Sequence, residues 1–198
     1  MPKLLETTRA DRQERILRAA VACFARRGYD GTTMEEIAIE AGIAKGAAYI
    51  YFPSKEALFL ALYEGWGCTL REEIMRALGE LPPAEQASAR RVLRTIVEVT
   101  GRHVQAEAAI CRVLMEGRTL AAYVPAIAER VATEQAQAQA QIEALIQAGV
   151  TAGEWPKGFD VALHATLVRA TIHGLMATWH LAPGSFSWDA AAATLASW

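Results

Sequence analysis

The sequence predicts an all-α protein of about nine helices, a small N-terminal three-helix head followed by a longer helical body. Three observations carry this prediction. Alanine, leucine, glutamine, glutamate and arginine dominate, and all of them favour helix. Apolar residues recur at spacings of three and four, the period of a helix face, over most of the chain. No Asn-Gly or Asp-Gly turn lies between alternating strand patterns, and the chain contains no asparagine.

The helices can be taken in order. The first runs from about Ala10 to Arg27, with Ile16, Ala20, Cys23 and Phe24 on one face. Gly28 ends it, and Arg26 and Arg27 suit its last turn. Thr33-Met34-Glu35-Glu36 is a capping box that opens the second helix, which stops at Gly42. A short third helix covers about Ala44 to Tyr51 and is blocked by Pro53. Ser54 caps a fourth, starting at Lys55 and continuing through Leu58, Leu62 and Trp66. Leu81-Pro82-Pro83 breaks the chain. Beyond it, Val92, Ile96, Val99 and Val104 mark one amphipathic helix, and about Ala108 to Arg118 a shorter one. Pro125 fits the first turn of a long helix to about Ala148. The alternation from Gln135 to Gln141 imitates a strand, but both residue types favour helix and Ile142, Leu145 and Ile146 restore the helical stripe. An apolar helix spans about Phe159 to Leu181, and a last one begins near Trp188.

Composition bounds the function. With 198 residues, 53% hydrophobic and 21% charged, the chain can bury a substantial core and is too apolar for disorder. No run approaches the roughly 20 apolar residues a membrane span needs. Met1 to Thr8 lacks an apolar leader, and the widely spaced Cys23, Cys68 and Cys111 have no metal or redox spacing. The expectation is a cytoplasmic protein with reduced thiols. Net charge is −2, but residues 1–60 carry nine Lys/Arg against eight Asp/Glu and the rest eleven against fourteen. That small asymmetry permits a nucleic-acid-binding head. There is no phosphate loop and no Gly-x-Ser-x-Gly, so no enzyme chemistry is expected. His103, His164, His173 and His180 have no acidic or cysteine partner at ligand spacing, so neither a metal nor a cofactor is expected.

The functional signal lies between Thr33 and Lys55. A capped helix, a glycine turn and a second short helix form a helix-turn-helix, motif about 33–52, with the first helix as its third wall. Ile37, Ala38, Ala41 and Ile43 supply its inner face. The stretch Glu14-Arg15-Ile16-Leu17-Arg18-Ala19-Ala20, Phe24-Ala25-Arg26-Arg27-Gly28-Tyr29-Asp30-Gly31-Thr32-Thr33, Ile37-Ala38, Ala41-Gly42-Ile43, Lys45-Gly46, Tyr49 and Tyr51-Phe52-Pro53-Ser54-Lys55-Glu56-Ala57-Leu58 resembles the tetracycline-repressor (TetR) family over nearly all of residues 10–60. The remainder matches only loosely, as in His173-Gly174-Leu175.

The resemblance implies a DNA-binding domain at 10–60 and a ligand-binding and dimerisation domain at 61–198. It implies phosphate contacts at Thr33 and Tyr49. It places Lys45, Gly46 and Ala47 at the start of a recognition helix in the major groove, with Tyr51 beside them facing either groove or core, and a further phosphate clamp at Lys55. The recognition helix departs from the family pattern: Ala44, Ala47, Ala48 and Ile50 stand where polar residues are common. Lys45, apolar contacts to thymine methyl groups and DNA shape are left to carry specificity.

The body reads as a dimerisation and sensing unit. Leu163, Leu167, Ala170, Thr171, Gly174, Leu175 and Thr178 follow helical spacing, and Gly174 invites close approach of another helix. With the last helix and Leu195 they suggest half of an intersubunit four-helix bundle. A homodimer also answers a geometric need, since two heads must reach major grooves roughly 34–36 Å apart. Tyr63, Trp66, His103, Cys111, Met115, Tyr123, Met176 and Trp179 are the candidate lining of a pocket for a lipophilic or aromatic effector. The expected function is a repressor of double-stranded operator DNA released by a small molecule. The alternatives are an activator, or a small-molecule-binding dimer whose head contacts protein.

Overall fold

Threonine hydroxyls open both of the first two helices. Thr8 accepts from the Asp11 N–H at 3.1 Å while the Asp11 carboxylate accepts from the Thr8 N–H at 2.8 Å, a full capping box at the start of α1 (Arg9–Arg27). Thr33 and Glu36 repeat the device at α2 (Met34–Glu40). The structure, a computed structural model, describes residues 8–198. Most of the segment read for lack of an apolar leader lies outside those residues.

After α2 the chain turns at Gly42, whose φ of 63° is a left-handed conformation that only glycine adopts without strain. Then follow α3 (Ala47–Tyr51) and α4 (Lys55–Gly79). The body contains α5 (Pro83–Gln86), α6 (Ala89–Ala106), α7 (Ala108–Met115), α8 (Gly117–Leu120), α9 (Pro125–Ala152), α10 (Val161–Leu181) and α11 (Trp188–Ser197). Two of these, α5 and α8, are single turns, and the other nine match the expected number. The described residues contain no strand, and the Gln-Ala alternation lies wholly within α9. None of the helices is long and apolar enough to cross a membrane. All three cysteines are free, Cys23 and Cys111 buried and Cys68 exposed.

Several boundaries differ from the sequence reading: α9 runs to Ala152 rather than about Ala148, and α10 begins at Val161 rather than Phe159. The third helix begins at Ala47 rather than Ala44, because Ala44 to Gly46 form a turn closed by the Ala47 N–H on the Ala44 carbonyl at 2.8 Å. The helix expected to reach Arg118 stops at Met115, and α8 takes over after Glu116.

The described residues pack as two compact units. One compact unit comprises the chain up to Trp66 together with Ala109–Ala128; the other comprises Gly67–Ala108 and Glu129–Trp198. The compact unit that contains the head thus also takes in Ala109–Ala128. In the first unit Phe24, Tyr29 and Phe59 form an aromatic triad, with centroids 5.6 Å apart for Phe24–Tyr29 and 5.5 Å for Tyr29–Phe59. Ile16, Ala20, Ile37, Ala38, Ala48 and Leu58 are fully buried around it. Gly117 joins this core: a Cβ there would stand 3.3 Å from the Phe59 ring, tighter than most Cβ contacts, so the ring would have to give slightly. That close approach recruits α7 and α8 to the head.

In the second unit α6 and α11 pack where Gly101 leaves room for the Trp188 ring, and Gly149 does the same for Trp155. Ala89, Ile146, Trp155 and Ala165 form one of its cores. Glu154 fastens the start of α6: its carboxylate accepts from the N–H groups of Ala89 at 2.7 Å and Arg90 at 2.9 Å and from the Ser88 hydroxyl at 2.9 Å. The Arg90 guanidinium donates back to the Glu154 carbonyl at 2.9 Å and to the Ala196 carbonyl at 2.6 Å, tying in the end of α11. Burial raises the Glu154 carboxyl's proton affinity, but these donors outweigh it and the pKa falls below its ordinary 4.5. A lowered folded-state pKa stabilises the fold above the unfolded pKa, and the effect is lost as pH falls through the folded value. Glu154→Gln is expected to cost about 1–2 kcal/mol at neutral pH. Urea titrations of both forms should converge as pH drops below about 4.5.

Candidate nucleic-acid interface

The α2–α3 pair leaves a defined surface open. Ala48 is fully buried and fixes the inner side of α3. On the outer side Tyr49 is 52% and Ile50 71% exposed, while Lys45 and Gly46 are exposed in the preceding turn. Lys45 forms an ion pair with Glu35 in the first turn of α2, which brings it beside Thr33. Thr33 is exposed, but its hydroxyl already serves the α2 cap, accepting from the Glu36 N–H at 3.2 Å and donating to the Glu36 carboxylate at 3.1 Å. The backbone N–H of Thr33, at 2.9 Å, and its hydroxyl hold the Glu36 carboxyl below its ordinary range. Ala47 and Tyr51 are half-buried, and the Arg9 guanidinium lies 5.8 Å from the Tyr51 ring centroid.

Three features of the head bear on the expected contacts. Ala48 is wholly buried and faces the core. Lys55 is turned inward: its ammonium donates to the carbonyls of Tyr29 at 2.7 Å and Thr32 at 2.9 Å and sits 4.3 Å from the Tyr29 ring centroid. The Tyr29 carbonyl also accepts from the Thr32 N–H at 3.3 Å, and Lys55 adds a charged donor to it and to the Thr32 carbonyl in the loop between α1 and α2. In this position it braces the loop between α1 and α2. The basic residues of the head are also less free than their number suggests, since Arg26 pairs with Glu40 at 2.6 Å and Arg27 with Glu36.

The Glu35–Lys45 pair has a testable consequence. A phosphate or base contact by Lys45 competes with it for the same ammonium. Glu35→Gln is expected to raise DNA affinity about threefold at low salt, with the gain fading as salt screens it. Fluorescence anisotropy titrations at two salt concentrations would check this.

The eight candidate pocket residues divide between the two units. Tyr63, Trp66, Cys111, Met115 and Tyr123 belong to the first, and His103, Met176 and Trp179 to the second. Cys111 is 1% exposed, and burial pushes its thiol up to about 12. Tyr63, Trp66 and Met115 are half-buried, and Tyr63 borders Gly117. Tyr123 is 55% exposed, so it lines no interior. Its hydroxyl donates to the Asp30 carboxylate at 2.8 Å, and Glu116 accepts from the Tyr29 N–H at 3.3 Å. Both contacts tie the α7–α8 segment to the α1–α2 loop.

In the second unit, Met176 is buried and Trp179 packs on Phe186 at 5.7 Å. His103 is 2% exposed, with Nδ1 3.0 Å from the Glu73 carboxylate. It stands in the wall of a cleft of about 290 Å³ between α4 and α6, with Glu73, Arg76, Glu80 and Arg102 around it. This cleft is charged, unlike the apolar pocket expected. The described residues contain no group of His, Cys, Asp or Glu able to hold a metal.

Of the proposed dimer residues, Leu167 is 43% exposed, Gly174 and Thr178 are exposed, and Thr171 is half-buried. Leu163, Leu167, Ala170, Gly174, Thr178 and Leu181 form one exposed stripe along α10 at steps of three and four. Leu195 is the exception, 2% exposed in the core of its own subunit, because it lies on the face of α11 turned to α6.

Comparison with known proteins places these features. Residues 16–62 match the family model described as bacterial regulatory proteins, tetR family. Residues 89–198 match that of the BetI-type transcriptional repressor C-terminal domain, which covers more than half of the chain. The chain belongs to the tetR family of bacterial regulatory proteins.

Among tetR-family relatives, the HTH-type transcriptional regulator YerO of Bacillus subtilis is 41% identical over 78 residues, 38% of this chain and 27% of YerO. The matched stretches span only 18–31% of the length of YerO and two further Bacillus subtilis relatives. A TetR-like regulator from Rhodococcus sp. RHA1 has the same fold, with a TM-score of 0.76, 26% identity and coverage of 96% of this chain and 94% of that one. So has a FadR regulator from Bacillus subtilis, solved in complex with stearoyl-CoA, at a TM-score of 0.76, 21% identity and coverage of 92% and 95%. Within this tetR-family head, sequence reasoning missed Glu35, Tyr29, Asp30 and Glu116. Each acts through a contact with a distant residue, and no local pattern announces it.

Proposed function

We propose that the chain is a ligand-responsive transcriptional repressor, acting in the cytoplasm as a homodimer on a palindromic operator. The observation that carries this reading is the open face of α2–α3, where Lys45, Gly46, Tyr49 and Ile50 are exposed on a helix whose other side is locked by Ala48. The exposed stripe of α10, with the outward alanines Ala190 and Ala193 of α11, supports dimerisation through paired helices. The stearoyl-CoA held by the structurally similar FadR supports a lipophilic effector. Tyr63, Trp66, Cys111 and Met115 are the side chains of the first unit that suit one.

The first unit offers a route from effector to operator. An effector that displaces α7–α8 pulls on the α1–α2 loop through Tyr123–Asp30 and Glu116–Tyr29. That loop is also braced by Lys55 at the start of α4. Such coupling is reciprocal, so operator DNA weakens effector binding by the same factor.

A DNA fragment from immediately upstream of the chain's own gene tests the reading. The protein is expected to bind it in preference to unrelated DNA, with affinity falling as salt rises. Lys45→Ala combined with Tyr49→Ala should abolish the preference and flatten the salt dependence. A purified dimer without sequence preference at moderate salt points instead to a head that contacts protein.

A further inference from the structure

We infer that Ile50 is the principal base-reading residue and that it recognises thymine through the 5-methyl group. The inference rests on the DNA-binding reading above and deepens it.

A helix advances 100° per residue, so Ile50 lies about 200° around α3 from Ala48. Ala48 is wholly buried, which makes Ile50, at 71% exposure, the outermost point of the helix. An isoleucine so placed gains nothing within its own subunit. The rest of α3 offers no competing reader: Ala47 and Ala48 carry only methyl groups, and the hydroxyls of Tyr49 and Tyr51 are the helix's only polar side-chain groups. A bidentate donor–acceptor group of the kind that pairs with guanine or adenine edges is absent from α3.

Gly46 points the same way. Its φ of −79° is open to any residue, and an added Cβ would meet no atom within 4 Å. Neither backbone nor packing requires glycine there, and glycine weakens a helix start relative to Ser, Thr or Asp. The space it leaves lies outside the subunit, next to Lys45. A face with a cleared backbone, one lysine and a projecting isoleucine fits the major groove, where the thymine methyl is the only apolar group a base edge presents. Against cytosine or the purine edges the same side chain would strip water from polar atoms without replacing the hydrogen bonds.

The test uses the upstream fragment prepared in two forms, one with thymine and one with deoxyuridine throughout. The two differ only in the C5 methyl group and keep the same pairing. Wild-type protein and Ile50→Ala are titrated with each. The methyl contact is expected to favour the thymine form by about fourfold per half-site, hence tenfold or more for a dimer. In Ile50→Ala the ratio should fall to about one, while the salt dependence, set by phosphate contacts, stays the same. Equal wild-type binding to both forms overturns the inference and leaves DNA binding intact. A thymine preference that survives in Ile50→Ala also overturns it, since the reader then lies elsewhere. Failure of the wild type to prefer the thymine fragment over unrelated DNA overturns the functional reading and this inference together.

Discussion

Gly174→Arg is expected to convert the protein from dimer to monomer at micromolar concentration and to weaken operator binding by about 10²–10⁴-fold, the loss that follows when two linked heads become one. The position is suited to the test because its surroundings within the subunit are empty. A Cβ at Gly174 would meet no atom within 4 Å, so a larger side chain disturbs nothing in its own fold. Its neighbours on the exposed stripe are Ala170 and Thr178, one turn away on either side. Burying an arginine against the same stripe of a second subunit would strand a charge in a helix–helix seam.

Gly174→Ala sharpens the test through its sign. On a solvent-facing helix, replacing glycine by alanine stabilises by up to about 1 kcal/mol. Where two helices cross at the glycine, the added methyl pushes them apart and the dimer loosens. Sedimentation velocity across a concentration series, with thermal unfolding beside it, separates the two. A weaker dimer is expected. A dimer of unchanged strength with a raised melting temperature would place the seam elsewhere.

The contrast between Gly174 and Leu195 shows what the sequence can convey. Both lie in apolar C-terminal helices and both were expected at the interface. Gly174 is exposed because α10 turns that stripe away from its neighbours, whereas Leu195 is consumed by the packing of α11 on α6. Helical spacing identifies a face but not which element covers it, because that depends on tertiary partners distant in sequence. The same limit separates the local features of the head from its long-range ones. The Thr33 cap, the Gly42 turn and the stop at Phe52-Pro53 are all local chemistry, and all are present. The inward side of Ala48 follows from the three-helix core and could not be read from five residues of α3. Tyr123 looked like an interior aromatic; its partner, Asp30, lies 93 residues away. The break after Met115 did leave a signal in Gly117, but the reason for that glycine is the Phe59 ring on α4.

Lys55 is the residue whose role changes most, and it allows two accounts of the head to be separated in one variant. As a phosphate clamp, Lys55 would contribute affinity and one unit of salt slope but little stability. As a brace, it holds the carbonyls of Tyr29 and Thr32, residues that are 4% and 1% exposed, and it stacks its charge on the Tyr29 ring. Lys55→Met keeps the aliphatic stem and removes the ammonium. It leaves the Thr32 carbonyl without the Lys55 donor and the Tyr29 carbonyl with only the Thr32 N–H at 3.3 Å, at a cost of about 2–3 kcal/mol for two lost charge-assisted bonds. For a chain of this length that corresponds to a fall of roughly 5–10 °C in melting temperature. DNA affinity should decline only as far as the folded fraction declines, and the slope of log affinity against log salt should match the wild type. An unchanged melting temperature with a slope shallower by about one would restore the clamp. Because the Tyr29 N–H also donates to Glu116, and Asp30 accepts from the Tyr123 hydroxyl, loosening this loop should reduce the effect of any α7–α8 ligand on the operator as well. A brace that fails would thus uncouple the head before it unfolds it.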